Sequence, residues 1–180
     1  LHYKNKSFNW ILVISVIVIA PIIVWLTPII ISGLFFEHSN KIAFITYGKS
    51  FVMYTLSFTV ALITLFILHF INKVIIKVFT SFMALILIFI LYITGIQHYV
   101  YLDEEFIEYN PLFGETTKYN WSSIIRVVHE LPTEEYEEKY IFEFKDGSYF
   151  ELQPPNNISL DVKTRIYDKI MTLDAPYEEY

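Results

Sequence analysis

The pattern of apolar and polar positions changes character near residue 98. Before it, apolar residues run in three long blocks; after it, they come in short stretches broken by acids and turn residues. The first block follows Lys4 and Lys6 and is uncharged from Ser7 to Phe36. At about 1.5 Å per residue, roughly 20 residues cross the hydrocarbon core, so a helix over about 10–31 suffices. Pro21 and Pro28 are expected to kink it, and Trp10 suits an interfacial anchor. The block is too long for a cleaved signal peptide. Further spans are expected over about 51–71 and 78–98, joined by a tight turn at Asn72-Lys73. A lysine in mid-bilayer costs about 2.5–3.5 kcal/mol, so Lys77 belongs at the interface with the third span beginning after it. Glu37 to Lys49 reads as a polar connection between the first two spans.

The second half reads as strands followed by a helix. Tyr99–Glu105 and Phe106–Tyr109 are rich in strand formers, and Asn110-Pro111 and Gly114 mark turns. Lys118–Asn120 leads into Trp121, and Ile124–Val128 is β-branched and apolar. Tyr140–Lys145 and Ser148–Leu152 flank Asp146-Gly147, a hairpin signal whose two turn positions favour positive φ. Pro154-Pro155 stops the last strand, and Ser159 can cap a helix with Asp161 in its first turn. Val162, Ile166, Ile170 and Leu173 recur at helical spacing and give that helix one apolar face. The expected class is α+β: three membrane helices in a domain over 1–98, then a small bent sheet or barrel with a terminal amphipathic helix over 99–180.

Charge sharpens this division. A net charge of −6 conceals +5 on residues 1–100 and −11 on residues 101–180. The absence of cysteine excludes disulfides, thiolate catalysis and Cys-ligated zinc. With three spans, Lys4, Lys6, Lys73 and Lys77 share one face and Lys41 and Lys49 the other. The positive-inside rule then places the second domain outside. Glu37, His38 and His98 fall on one face and could approach a common metal, but no ligand spacing supports this, and they read as interfacial residues. His69 lies on the opposite face. The spans hold Ser, Thr and Gly rather than mid-depth ionisable groups, which suits helix contact more than conduction.

The order of pieces is then informative. An aromatic strand leaves a membrane helix, followed by Asn110-Pro-Leu-Phe-Gly114, Trp121-Ser-Ser-Ile124, the Asp146-Gly147 hairpin and a terminal helix. This resembles the bacterial pleckstrin-homology-like (PH-like) domains carried by small membrane proteins of Gram-positive bacteria. Over roughly residues 99–173 the resemblance implies a seven-stranded bent barrel capped by the helix, usually cytoplasmic. Eukaryotic relatives of the fold bind phosphoinositides through Lys and Arg at the first strand turn. The matching turn here is Asp103-Glu104-Glu105, which repels anionic headgroups, so phosphoinositide binding is not expected. Nucleic-acid binding is excluded by the same sign of charge.

Catalytic signals are weak. Glu134-Glu-Tyr-Glu-Glu138 reads as a solvated acidic loop, and His129 beside Glu130 reads as a strand-end histidine rather than an acid/base pair. Ser122 and Ser123 lack a nucleophile-elbow context, and Trp121 reads as core. No enzymatic activity, cofactor or metal is expected. The distinctive property is negative charge next to a bilayer, and the candidate interaction surface is Asp103, Glu104, Glu105, Glu134, Glu135, Glu137 and Glu138. Its expected partner is a protein or a cationic peptide, in keeping with an immunity or stress-resistance factor against antimicrobial peptides. The alternative is an accessory subunit of a membrane transporter or channel.

Overall fold

A computed structural model of the chain describes residues 2–133, 136–155 and 158–180. The candidate residues Glu134 and Glu135 lie outside the described residues. Two compact units emerge. Leu1–Phe35, Thr46–His98 and Pro111–Gly114 form the first, and Phe36–Ile45, Tyr99–Asn110 and Glu115–Tyr180 form the second.

The first unit is built on α1 (His2–Phe35), α2 (Gly48–Phe70) and α3 (Val74–Gln97). Three stretches, Trp10–Phe35, Gly48–Phe70 and Val74–Gln97, are long and apolar enough to cross a bilayer, which makes this a multi-pass membrane protein. α1 is one continuous helix through both prolines. α3 begins at Val74 and holds Lys77 in its first turn, whereas the sequence pattern starts the third span after that lysine. The helix surfaces are apolar outward, and Trp25 points away from its neighbours. The hydroxyls of Thr55, Thr59, Thr64 and Thr94 donate to the carbonyl four residues back, which satisfies them within their own helix. Between α2 and α3 the closest approach is at Gly95. A Cβ there would lie 2.6 Å from the Tyr54 ring, which explains the small residue. A Thr27–Tyr92 hydrogen bond ties α1 to α3.

The second unit holds two four-stranded sheets, and neither closes on itself as a barrel. The first has the order β1 (Lys41–Thr46), β2 (Tyr99–Asp103), β3 (Phe106–Asn110), β4 (Thr117–Asn120). The second has the order β7 (Tyr149–Leu152), β6 (Lys139–Phe144), β5 (Ile124–Glu130), β8 (Tyr177–Glu179). A 3-10 turn, Trp121–Ser123, joins them. The expected short strands and terminal helix all form, and the α+β class holds. Two strands go beyond expectation. β1 lies within what reads as a polar connection, and β8 pairs parallel with β5 after the terminal helix α4 (Leu160–Met171).

Alternation places the core. β6 and β7 bury every second residue, bringing Tyr140, Phe142, Phe144, Phe150 and Leu152 inward. Facing them, Tyr119 stacks on Phe144 with centroids 4.5 Å apart, and Trp121 meets Phe142 edge-on at 5.8 Å. Ile166 and Ile170 of α4 are fully buried, and Ser159 caps the helix by accepting from the Val162 N–H at 3.4 Å. The β6–β7 hairpin forms around Asp146-Gly147, but only Gly147 has positive φ, at 83°. Asp146 instead steadies the turn by accepting from the Ser148 N–H at 2.9 Å. The turn is therefore not the paired left-handed type that the dipeptide suggests.

Candidate functional site

The first strand turn is built by Asp103. Its Oδ1 accepts from the Glu105 N–H at 3.1 Å, and its Oδ2 accepts from the Tyr101 hydroxyl at 3.1 Å. Its carbonyl accepts the Trp121 indole N–H at 2.7 Å. Asp103 is therefore buried and structural, and it turns the next two carboxylates, Glu104 and Glu105, out to solvent. Opposite them lies the end of α4, whose Lys169 donates to Glu104 at 3.0 Å and stands 6.0 Å from the centroid of the Trp121 ring.

Between these elements runs an open groove of about 760 Å³. Glu104 and Glu105 form one rim; Lys169, Thr172, Leu173 and Asp174 form the other. Trp121, Ser122, Ile124, Ile125 and Lys145 complete the lining. Both lysines have acceptors at the surface, Lys169 on Glu104 at 3.0 Å and the exposed Lys145 on the Ser122 carbonyl at 2.9 Å. Glu105 and Asp174 make no ion pair among the described residues. The lining carries Glu104, Glu105 and Asp174 against Lys145 and Lys169. With Lys169 paired to Glu104, the two remaining carboxylates outweigh Lys145, and Ile125 is exposed beside them. The lining contains no histidine.

The other acidic run behaves differently. Glu137 is exposed, but Glu138 is buried in a polar cluster. It accepts from Lys163, from the Tyr140 hydroxyl at 3.2 Å, and pairs with His129 Nε2 at 3.1 Å. His129 Nδ1 shares a hydrogen bond of 2.8 Å with the Tyr177 hydroxyl, and its ring stacks on Tyr140 at 4.1 Å. Burial alone would raise the Glu138 carboxyl, but hydrogen bonds from Lys163 and His129 outweigh it and hold it below the usual carboxylate value. The histidine does sit near a strand end, yet its partner is Glu138. Neighbouring Glu130 pairs with Lys139 at 3.1 Å instead.

This cluster was missed in the sequence because Glu138 sits in an acidic run that reads as solvated. Parity carries the signal: Glu138, Tyr140, Phe142 and Phe144 are two residues apart and share the inward face. No buried side-chain nitrogen or oxygen lacks a partner among the described residues. The cluster therefore ties together β5, β8, α4 and the residue that leads into β6.

In the membrane unit, His98 follows the last turn of α3. Its Nδ1 lies 3.3 Å from the Ser50 hydroxyl, which donates to the His98 carbonyl at 2.8 Å. Burial and the charge of Lys49 push its pKa down, so the ring is neutral at pH 7. Glu37 pairs with Lys41 at 3.0 Å. Among the described residues no group of three or more His, Asp or Glu gathers to hold a metal. Comparison with family models, curated proteins and solved structures gives no match.

Proposed function

We propose that the chain is a membrane-tethered interaction module. Its groove between Glu104-Glu105 and the end of α4 receives a basic, partly apolar segment of a partner protein or peptide. The observation that carries this reading is the pairing of outward carboxylates, Glu105 and Asp174, with an apolar floor formed by Trp121, Ile124, Ile125 and Leu173. Charge steers a cationic segment to the rim, and the floor then takes its apolar side chains. Lys169 is offset by Glu104, and Lys145, which donates to a neutral carbonyl and keeps its charge, is outnumbered by Glu105 and Asp174.

The order of strands, the joining Trp121 turn and the terminal helix support a PH-like assignment for the second unit. On that assignment the unit is cytoplasmic and serves in immunity or stress resistance by engaging a basic partner at the membrane. The positive-inside rule favours the other side, where the ligand would be an external cationic peptide. Because the chain lacks cysteine, Glu137→Cys with an impermeant thiol reagent on intact cells decides the side. Labelling only after permeabilisation is the expected result.

Binding is tested with the full chain in nanodiscs and a Lys/Arg-rich amphipathic peptide. Glu105→Gln with Asp174→Asn should weaken binding several-fold, and added salt should erase the difference between variant and parent. Equal binding by parent and variant at low salt would remove the groove from the proposal.

A further inference from the structure

We propose that the β3–β4 turn, Pro111–Gly114, is a second membrane anchor that inserts Phe113 into the lipid interface. The argument begins with register. β2 starts at Tyr99, one residue after His98 and two after the last residue of α3, and β3 runs antiparallel to it with Tyr99 opposite Asn110. β3 therefore ends opposite the residue at which β2 begins, next in sequence to the membrane unit. Asn110 lies level with the first residue of β2, and the turn begins beyond it. An extended chain advances about 3.3 Å per residue, so Phe113, three residues on, can reach on the order of 5–10 Å past that level.

Residue chemistry fits this placement. Phe113 is 78% exposed, among the most exposed large apolar side chains of the chain outside the three helices. Gly114, with φ of 130°, occupies a backbone region that disfavours side chains and closes the turn. The turn also groups with the apolar helices in the membrane unit, whereas the strands on either side of it belong to the second unit. An exposed phenylalanine in a turn that clusters with the apolar helices lacks an apolar surround from the protein, and the occupant that fits is the bilayer itself. This anchor is independent of what the groove binds.

Single cysteines in the cysteine-free chain test it. Phe113→Cys carries an environment-sensitive fluorophore in phosphatidylcholine nanodiscs. Asp146→Cys, at the exposed β6–β7 turn, serves as the aqueous reference, and Phe89→Cys, on the outer surface of α3, as the lipid reference. The expected result at position 113 is blue-shifted emission, quenching by lipids nitroxide-labelled near the headgroup, and iodide quenching several-fold weaker than at 146. Leu112→Cys should behave in the same direction and guards against a local effect of losing the phenyl ring. Emission and iodide quenching at both 112 and 113 equal to those at 146 would overturn the proposal.

Discussion

The two sheets of the second unit are each completed by a strand from a distant part of the chain, and they hold that strand by opposite means. β1 arrives from between the first two membrane helices and is held by apolar contact. Ile42, Ala43 and Ile45 are each 2% exposed, and Phe36, Phe44, Tyr99 and Tyr101 cluster with centroid separations of 4.6–5.3 Å. β8 arrives from the C-terminal side of α4 and is held by charge and hydrogen bonds. Arg126 grips Glu178 with two bonds of 3.0 and 2.7 Å and Glu143 with one of 3.1 Å, and His129 meets Tyr177. Apolar burial is insensitive to pH and salt, whereas ion pairs respond to both. The outer strands should therefore separate under conditions that leave one intact and release the other.

The largest effect is expected inside the second sheet. Glu138→Ala removes the shared acceptor of Lys163, Tyr140 and His129 from a buried position. The partly exposed Lys163 can turn to water, but His129 and the Tyr140 hydroxyl stay buried with an acceptor lost, at about 1–3 kcal/mol for each unsatisfied group. Hydrogen exchange of the full chain in nanodiscs should show faster opening of β5, β6 and β8, with β1 and β2 protection retained. Equal loss in both sheets would show that they unfold as one body and that the contrast is only chemical.

Phe44→Ala is the matching disruption on the other side. Phe44 is half-buried, so the expected cost is about 2 kcal/mol, near half of the range for a fully buried phenylalanine. Exchange should accelerate in β1 and β2 while β8 stays protected, and the change should be the same at low and high salt. A salt-dependent effect would mean that the Glu37–Lys41 pair, rather than the aromatic cluster, holds the strand.

These strands also mark where the sequence is readable. Periodicity locates α2, α3 and α4 and the six strands between Tyr99 and Leu152, because each has a local pattern. Lys41–Thr46 has an apolar pattern too, but its meaning depends on β2, more than fifty residues later, and local reading assigns it to a connection. β8 is three residues long and acidic, and partners on β5, among them Arg126 and His129, make Tyr-Glu-Glu a strand. The candidate acidic surface divides for the same reason. Asp103 and Glu138 find buried partners that only tertiary packing supplies, while Glu104, Glu105 and Glu137 stay exposed. The odd one-turn helix at Trp121 is legible only as the Ser-rich break between strands.

The smallest and most selective effect is expected from pH at β8. Hydrogen bonds from Arg126 and then from Tyr180 hold the Glu178 carboxyl down to about 2, from an ordinary value of 4.5. A lowered folded-state pKa adds stability that is present in full above the unfolded value and is lost as pH falls through the folded one. Acidification from about 4.5 toward 2 should therefore loosen β8 progressively, after correction for the intrinsic exchange rate. Glu178 is exposed, so high salt at neutral pH should weaken the same contact without acid. Glu178→Gln should remove most of the pH response of Tyr177–Tyr180. The remainder belongs to Glu138, whose carboxyl is also held low and which reaches β8 through His129 and Tyr177. β1, held by aromatic contact, should show no matching transition over this range. If Glu178→Gln leaves the acid response of β8 unchanged, Glu138 alone ties the strand, and the Arg126 clamp is a surface contact of no consequence to it.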